Sequence, residues 1–462
     1  MLAISCAVIA VASACKGDDN PNCVAPTSTW AETVYVKPPV RESPANFGTT
    51  VAMSADGTTL AVTALARGFL SDPHVDAAGA VFVYQRDGAR WRHDTTLRPS
   101  PASLEVSFGS SLALSSDGQR LVVTAPYESA PAIPELSPSG GSVFVFDRTA
   151  SGWKQSARLT RAKEELGLGL GVSLALSGDG ARIAVGINQG TGGFGSLRIF
   201  EIDGSTGIWK ATTDVLPPDA STRRVGAHYG SAVALSSDGK TLVVGNWGFV
   251  PTLLPRTSFV TARGPGEVWV YRFVNGGWQM IQKLESSSPS EGGEFGYAVS
   301  TSADGHAIAV GASEEDTVHV FREDDGHWNE RTRLTSPSPN WWRFGFELAL
   351  SGDGSRLVVG DRSNPTTAVG TGGSLCAPTD GGSNGVVYGF TDDGRSFDAF
   401  LRPAVHHKDA AFGLSLALSG DGRSLAVGAF GEDSAALGVD GDQNDHSAPN
   451  AGAVYLFHDG RP

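Results

Sequence analysis

The sequence predicts an all-β fold built from seven repeats of four strands, closed on itself. Three observations predict it: a phrase that recurs seven times in fixed register, a composition rich in turn formers, and chain ends that complement each other. At 462 residues the chain is long for one ordinary core, and its 59 Gly separate short runs of Val, Leu, Ala and Phe. No segment sustains a helical period of apolar residues, so repeated strands are favoured over several mixed domains.

The recurring phrase is an aromatic-Gly pair, an apolar run, Ser-x-Asp-Gly, and a second apolar run. Its turns lie at Asp56-Gly57, Asp117-Gly118, Asp179-Gly180, Asp238-Gly239, Asp304-Gly305, Asp353-Gly354 and Asp421-Gly422. Nine residues before each Asp stand Phe47, Phe108, Leu170, Tyr229, Phe295, Phe344 and Phe412, each followed by Gly. Asp-Gly tolerates positive φ and joins two strands tightly, so each phrase is a hairpin of strands A and B. A third strand of the form Gly-x-Val-x-Val-aromatic follows a variable loop, as at 79–84, 141–146, 266–271 and 452–457. The fourth begins at an aromatic residue and ends near Leu, as at 91–97, 153–159, 209–216, 278–284, 328–334 and 397–401. The Trp residues that open these strands read as packing residues, because a single active site has no need of a repeated one.

The chain ends decide between a linear array and a ring. Residues 30–36 followed by Lys37-Pro38 match the fourth-strand phrase 91–97 followed by Arg98-Pro99, whereas the last phrase, 452–457, is a third strand with no fourth after it. The N-terminal strand is therefore expected to complete the last sheet, which hides both edges. The expected fold is a seven-bladed β-propeller with four-stranded antiparallel blades over residues 30–462.

The repeat resembles the FG-GAP propellers, the kind that forms the head of integrin α subunits and occurs in many bacterial surface proteins. The matching residues are Phe108-Gly109, Phe295-Gly296, Phe344-Gly345 and Phe412-Gly413, with Val-Gly-Ala closing strand B at 310–312 and 427–429. The resemblance covers about 30–457 and implies the fold more than any one activity, since propellers host many roles. One departure stands out. Integrin-type units carry a calcium loop of the kind Asp-x-Asp-x-Asp-Gly between strands A and B, and here it is shortened to Ser-x-Asp-Gly. One carboxylate cannot supply the six to eight oxygens of a calcium shell, so no metal is expected at these turns.

The first residues read as targeting rather than fold. Residues 2–14 are apolar and small, too short to span a bilayer as a helix, and lead into the polar Lys16-Gly-Asp-Asp-Asn20; no Lys or Arg precedes the apolar run. Residues 1–14 are thus expected to be a signal peptide and 15–29 a polar tether. Ser13-Ala14-Cys15 resembles a bacterial lipobox, with Cys15 as the lipidation site, whereas Ala12-Ser13-Ala14 fits ordinary signal removal. Either way the protein is expected to be exported, at the cell envelope or surface or secreted, with the membrane engaged only through a lipid anchor. Cys23 and Cys376 are left either as one disulfide or as two thiols.

Net charge is -14, which gives no basic footprint for nucleic acid. No His-Glu-x-x-His or Gly-x-x-x-x-Gly-Lys phrase occurs, so an enzyme is not expected. Long B-to-C connections at 65–78, 126–140, 246–265, 361–384 and 430–451 would share one face with the D-to-A connections. On that face Trp341, Trp342 and Trp247 are candidate ligand-binding residues, against the alternative that they plug the channel. Asp440, Asp442, Asn444 and Asp445 are a candidate Ca²⁺ set, although the same spacing suits Asx turns. His406 and His407, near Asp409, read as solvated loop histidines. The resulting expectation is a monomeric surface binding or adhesion module for a protein or glycan; a propeller enzyme acting on polysaccharide and a purely structural envelope protein are the alternatives.

Overall fold

Seven four-stranded antiparallel sheets follow one another around a ring. The structure, a computed structural model, describes residues 7–9, 28–40, 46–65, 79–100, 107–126, 140–161, 169–187, 195–218, 228–248, 264–290, 292–338, 343–372, 374–375 and 378–461. Blades 1 to 6 span 47–97, 112–160, 170–215, 232–284, 295–335 and 347–401. Blade 7 takes three strands from 415–459 and its fourth from Trp30–Val36, which pairs antiparallel with Ala453–Asp459 so that Tyr35 faces Tyr455 and Val36 faces Val454. Trp30–Val36 thus closes the ring, as the chain ends predict. Ala7–Ile9, within the segment read as an export signal, runs parallel to Thr332–Leu334 on the outer edge of blade 5.

Each A-to-B turn is built the same way. The Ser hydroxyl donates to the Asp carboxylate at 2.5–2.6 Å and accepts the amide five residues on at 2.9–3.0 Å. The same carboxylate accepts the amide two residues after it at 2.9–3.0 Å, so Ser-x-Asp-Gly is a side-chain-braced turn. Burial would raise the carboxyls of Asp56, Asp238, Asp304, Asp353 and Asp421, but the bonds they accept outweigh it and hold them below the usual range.

The residue between Ser and Asp has a role that spans blades. The amide of Ala55 donates to the carbonyl of Ser116, Ser116 to Gly178, Gly178 to Ser237, Ser237 to Ala303, Ala303 to Gly352, Gly352 to Gly420, and Gly420 back to Ala55, at 2.8–3.0 Å. These bonds make a closed circle around the axis. Only small residues fit there: a Cβ on Gly178 would stand 1.9 Å from the Ser237 hydroxyl.

At the opposite end of strand B a second set of close approaches joins the blades. In blades 3 to 7 this position is Gly186, Gly245, Gly311, Gly360 and Gly428, and a Cβ there would stand 2.0–2.2 Å from the carbonyl of the aromatic-Gly glycine in the next blade. Those second glycines hold positive φ, from 80° at Gly230 to 112° at Gly171, which turns the chain into strand A. The preceding aromatic ring packs edge-on against strand C, as for Phe108 on Phe144, Tyr229 on Trp269 and Phe344 on Tyr388. Fourth-strand Trp residues are covered from the neighbouring blade, with Arg120 over Trp209, Arg272 over Trp328 and Arg356 over Trp30 at 5.0–5.4 Å. The apolar cores accordingly lie between blades; one cluster joins Phe47, Leu60 and Phe82 of blade 1 to Ala426, Val454 and Leu456 of blade 7.

Gly428→Ala places a methyl against the Gly48 carbonyl, a backbone atom that cannot rotate away, where blade 7 meets blade 1. The expected outcome is a loss of about 3 kcal/mol, the upper end of overpacking, read as a lower urea midpoint. An unchanged midpoint would show that the seam yields without strain.

Candidate functional site

Tight A-to-B turns and C-to-D hairpins occupy one end of the ring, so the other end carries the irregular chain. Two clusters there depart from the sevenfold pattern.

The first runs across blades 4 to 6. Asn246, the last residue of strand B in blade 4, accepts the His228 amide at 2.8 Å, and this brings the His228 ring flat against Trp247, with centroids 4.2 Å apart. Trp247 lies 5.8 Å from Tyr297, Tyr297 lies 4.9 Å from Phe346, and the Arg362 guanidinium sits 4.2 Å over Phe346. Trp247, Tyr297, Phe346 and Arg362 are all half-buried. Tyr297 and Phe346 occupy the second position after the repeated aromatic, where the other blades carry Thr49, Ser110, Val172, Ser231 and Leu414. The row is therefore local to these blades and is not part of what builds the ring.

Two acids border this row. Burial alone pushes the Glu347 carboxyl up to about 8. Burial also raises Asp361 well above the usual carboxylate range, against an opposing hydrogen bond from Asn364 at 3.3 Å. Burial lowers the guanidinium of Arg362 and raises the phenol of Tyr297.

The second cluster lies where blades 6 and 7 meet. Glu432, fully buried, accepts the Tyr35 hydroxyl at 2.7 Å, the Ser434 amide at 3.0 Å and the Lys37 ammonium at 2.5 Å. Lys37 is buried too, and its carbonyl accepts the Tyr84 hydroxyl of blade 1 at 2.7 Å, so the closing strand is tied to the last loop of its own blade and to blade 1. His407 corrects the sequence reading. It is not solvated but buried, with Nδ1 bonded to Asp433 Oδ1, because the last loop folds back over the D-to-A connection. His446 Nδ1 meets the same oxygen at 3.0 Å. His406 is partly exposed, 3.5 Å from Asp380.

Of the residues singled out from sequence, Trp247 lies in the aromatic row, whereas Trp341, Trp342, Cys15, Cys23 and Cys376 lie outside the described residues. Asp440, Asp442, Asn444 and Asp445 lie in the last loop, and each carboxylate accepts a backbone amide. Asp440 accepts the Tyr35 amide at 3.2 Å, Asp442 the Asn444 amide at 2.9 Å, and Asp445 the amides of Ala435 and Ser447 at 2.8 and 2.9 Å. Among the described residues, the His, Asp and Glu atoms that gather within 4.8 Å of one another are instead those of His407, Asp433 and His446. Sequence reasoning missed Tyr297, Phe346 and Arg362; the signal available was the aromatic pair at a repeat position otherwise filled by Thr, Ser, Val or Leu.

These features define a seven-bladed β-propeller with one regular and one irregular face. No protein-family model matches the chain, and no curated protein matches it in sequence. Solved structures do match in fold. The β-propeller domain of Cps50 (Swd1) from Myceliophteria thermophila is similar over 90% of this chain and 97% of its own, at TM-score 0.53 and 12% identity. The periplasmic gluconolactonase PpgL of Pseudomonas aeruginosa covers 82% of this chain and 98% of its own, at TM-score 0.51 and 14% identity. The Dos1 propeller covers 94% and 97%, at TM-score 0.51 and 14% identity.

The raised Glu347 carboxyl has a pH signature. Its folded value of about 8 lies above the ordinary 4.5, so the native state keeps a proton that the unfolded chain releases, and stability falls as pH rises between the two. Glu347→Gln removes that dependence. Thermal unfolding followed from pH 5 to pH 8 should show the wild type losing ground to the variant; parallel curves would show that Glu347 is already ionised in the fold.

Proposed function

We propose that this protein is an exported binding module of the FG-GAP kind that recognises a protein or glycan through its irregular face, with Trp247, Tyr297, Phe346 and Arg362 as the contact strip. The observation that carries the proposal is the run of this row across blades 4 to 6, in which Tyr297 and Phe346 are half-buried at a position where the other blades carry small or aliphatic side chains. Aromatic and Arg side chains supply most hot spots at binding surfaces, and flat aromatic faces also stack on sugar rings. Trp341 and Trp342 precede Phe346 by only a few residues and belong to the same proposed surface. Export by signal removal or through a lipidated Cys15 would present this face outside the cell, and mass spectrometry of the mature amino terminus distinguishes the two.

The test is a glycan array together with affinity capture from surface extracts, comparing the wild type with Trp247→Ala and Arg362→Ala. Both variants should weaken the captured ligand at least tenfold, the scale of hot-spot truncation, with little change in the thermal midpoint. Undiminished binding in both would remove the strip from the contact.

A second reading, acid-base chemistry at the same face, is favoured by the position of Glu347 beside Phe346, where burial raises its carboxyl above the ordinary range. The fold shared with a gluconolactonase suggests lactones and sugar esters as the first substrates to screen. Turnover abolished by Glu347→Gln would support this reading over simple binding.

A further inference from the structure

Three ligand-capable atoms converge at the junction of blades 6 and 7, apart from the aromatic row. His407 comes from the connection between the two blades; Asp433 and His446 come from the loop between strands B and C of blade 7. Both imidazoles aim Nδ1 at one atom, Oδ1 of Asp433, and the rings lie 4.6 Å apart. All three ligand atoms fall within 4.8 Å of one another, and a modest opening would bring them to the ~3.3 Å edges of a tetrahedral site with bonds of about 2.0–2.1 Å.

A second observation concerns the far side of the His407 ring. Its Nε2 is buried without a hydrogen bond among the described residues and lies 3.5 Å from Glu432 Oε1. Both side chains are fully buried. A metal-bound imidazole characteristically directs its other N–H to a carboxylate, which fixes the tautomer and strengthens the ligand. Glu432 stands in that position and is itself held by Lys37, Tyr35 and the Ser434 amide.

We propose that His407, Asp433 and His446 form a binding site for one divalent transition-metal ion of the Zn²⁺ class, with Glu432 orienting His407. Two imidazole nitrogens and one carboxylate oxygen favour such an ion over Ca²⁺ or Mg²⁺, which take oxygen shells. His446 is half-exposed, so the fourth coordination position faces solvent and stays open to water or an exogenous ligand. The ion would clamp the last loop onto the connection before blade 7, close to the strand that seals the ring.

Titration calorimetry and thermal unfolding with ZnCl₂ on the full chain without a polyhistidine tag test the site. One equivalent of Zn²⁺ should bind and raise the thermal midpoint, with CaCl₂ and MgCl₂ giving neither response. His446→Ala lies at the surface and leaves the fold intact, and it and Asp433→Asn should each weaken Zn²⁺ at least tenfold. The proposal fails if Zn²⁺ shows no saturable binding, if His446→Ala binds it as tightly as the wild type, or if Ca²⁺ gives an equal response.

Discussion

The circle of backbone hydrogen bonds through Ala55, Ser116, Gly178, Ser237, Ala303, Gly352 and Gly420 is the constraint on which the rest of the molecule depends. Each of these amides is paired with the carbonyl of the equivalent residue in the following blade, and each such bond contributes about 0.5–1.5 kcal/mol net. Pairing them around the axis satisfies all of them only if the ring is complete. A missing blade would leave a donor on one side and an acceptor on the other. Closure is thus enforced at the axis as well as at the rim, where Trp30–Val36 covers the exposed edge of Ala453–Asp459.

The same constraint explains why the two faces differ. On the axial-ring face the Ser-x-Asp-Gly turns must place one small residue against its neighbour at a fixed spacing, which leaves no room for insertions. On the other face the repeated demands are the approach of a strand-B residue to the glycine carbonyl of the next blade and the approach of the glycine that opens strand C to the residue before that glycine. Blades 1 and 2 replace that residue by Thr63 and Thr124, and in blade 2 the Thr124 hydroxyl donates to the Gly171 carbonyl at 2.8 Å. Chain beyond that point is unconstrained by the ring, and both non-repeating clusters lie there.

Much of this was legible in the sequence because it follows from local chemistry. Asp-Gly marks a hairpin whatever surrounds it, and the match between 30–36 and 91–97 requires only that equivalent strands share a pattern. Contacts between blades were less legible. The run Ala, Ser, Gly, Ser, Ala, Gly, Gly inside Ser-x-Asp-Gly looks like free variation until the axis shows that small size is the demand. The bulge that shifts register between strands C and D in every blade has no single residue type as its signature. His407 was misread for a related reason: it is buried by a loop about 26 residues later in the chain, through Asp433, and a histidine pair in a connection carries no mark of what will fold over it.

A ring of equivalent blades also gives an internal standard for what packing alone requires, since rotation by one blade asks the same of each position. Third after the repeated aromatic stand Thr50, Ser111, Ser173, Ala232, Ala298, Glu347 and Ser415. Ser173 and Ser415 donate to the Gly230 and Gly48 carbonyls of the next blade at 2.6 and 2.9 Å, so the position favours a small group between blades. Blade 3 shows how a charge is accommodated when the pattern breaks. Arg198, where most other blades place an aromatic ring, is buried but paired in fork geometry with Asp214 at 2.7 Å. Glu347 breaks the pattern with no ion pair or side-chain hydrogen bond among the described residues, and burial holds its carboxyl protonated near neutral pH. Packing at the equivalent positions does not call for an acid there, and Glu347 follows Phe346 directly at the end of the aromatic row.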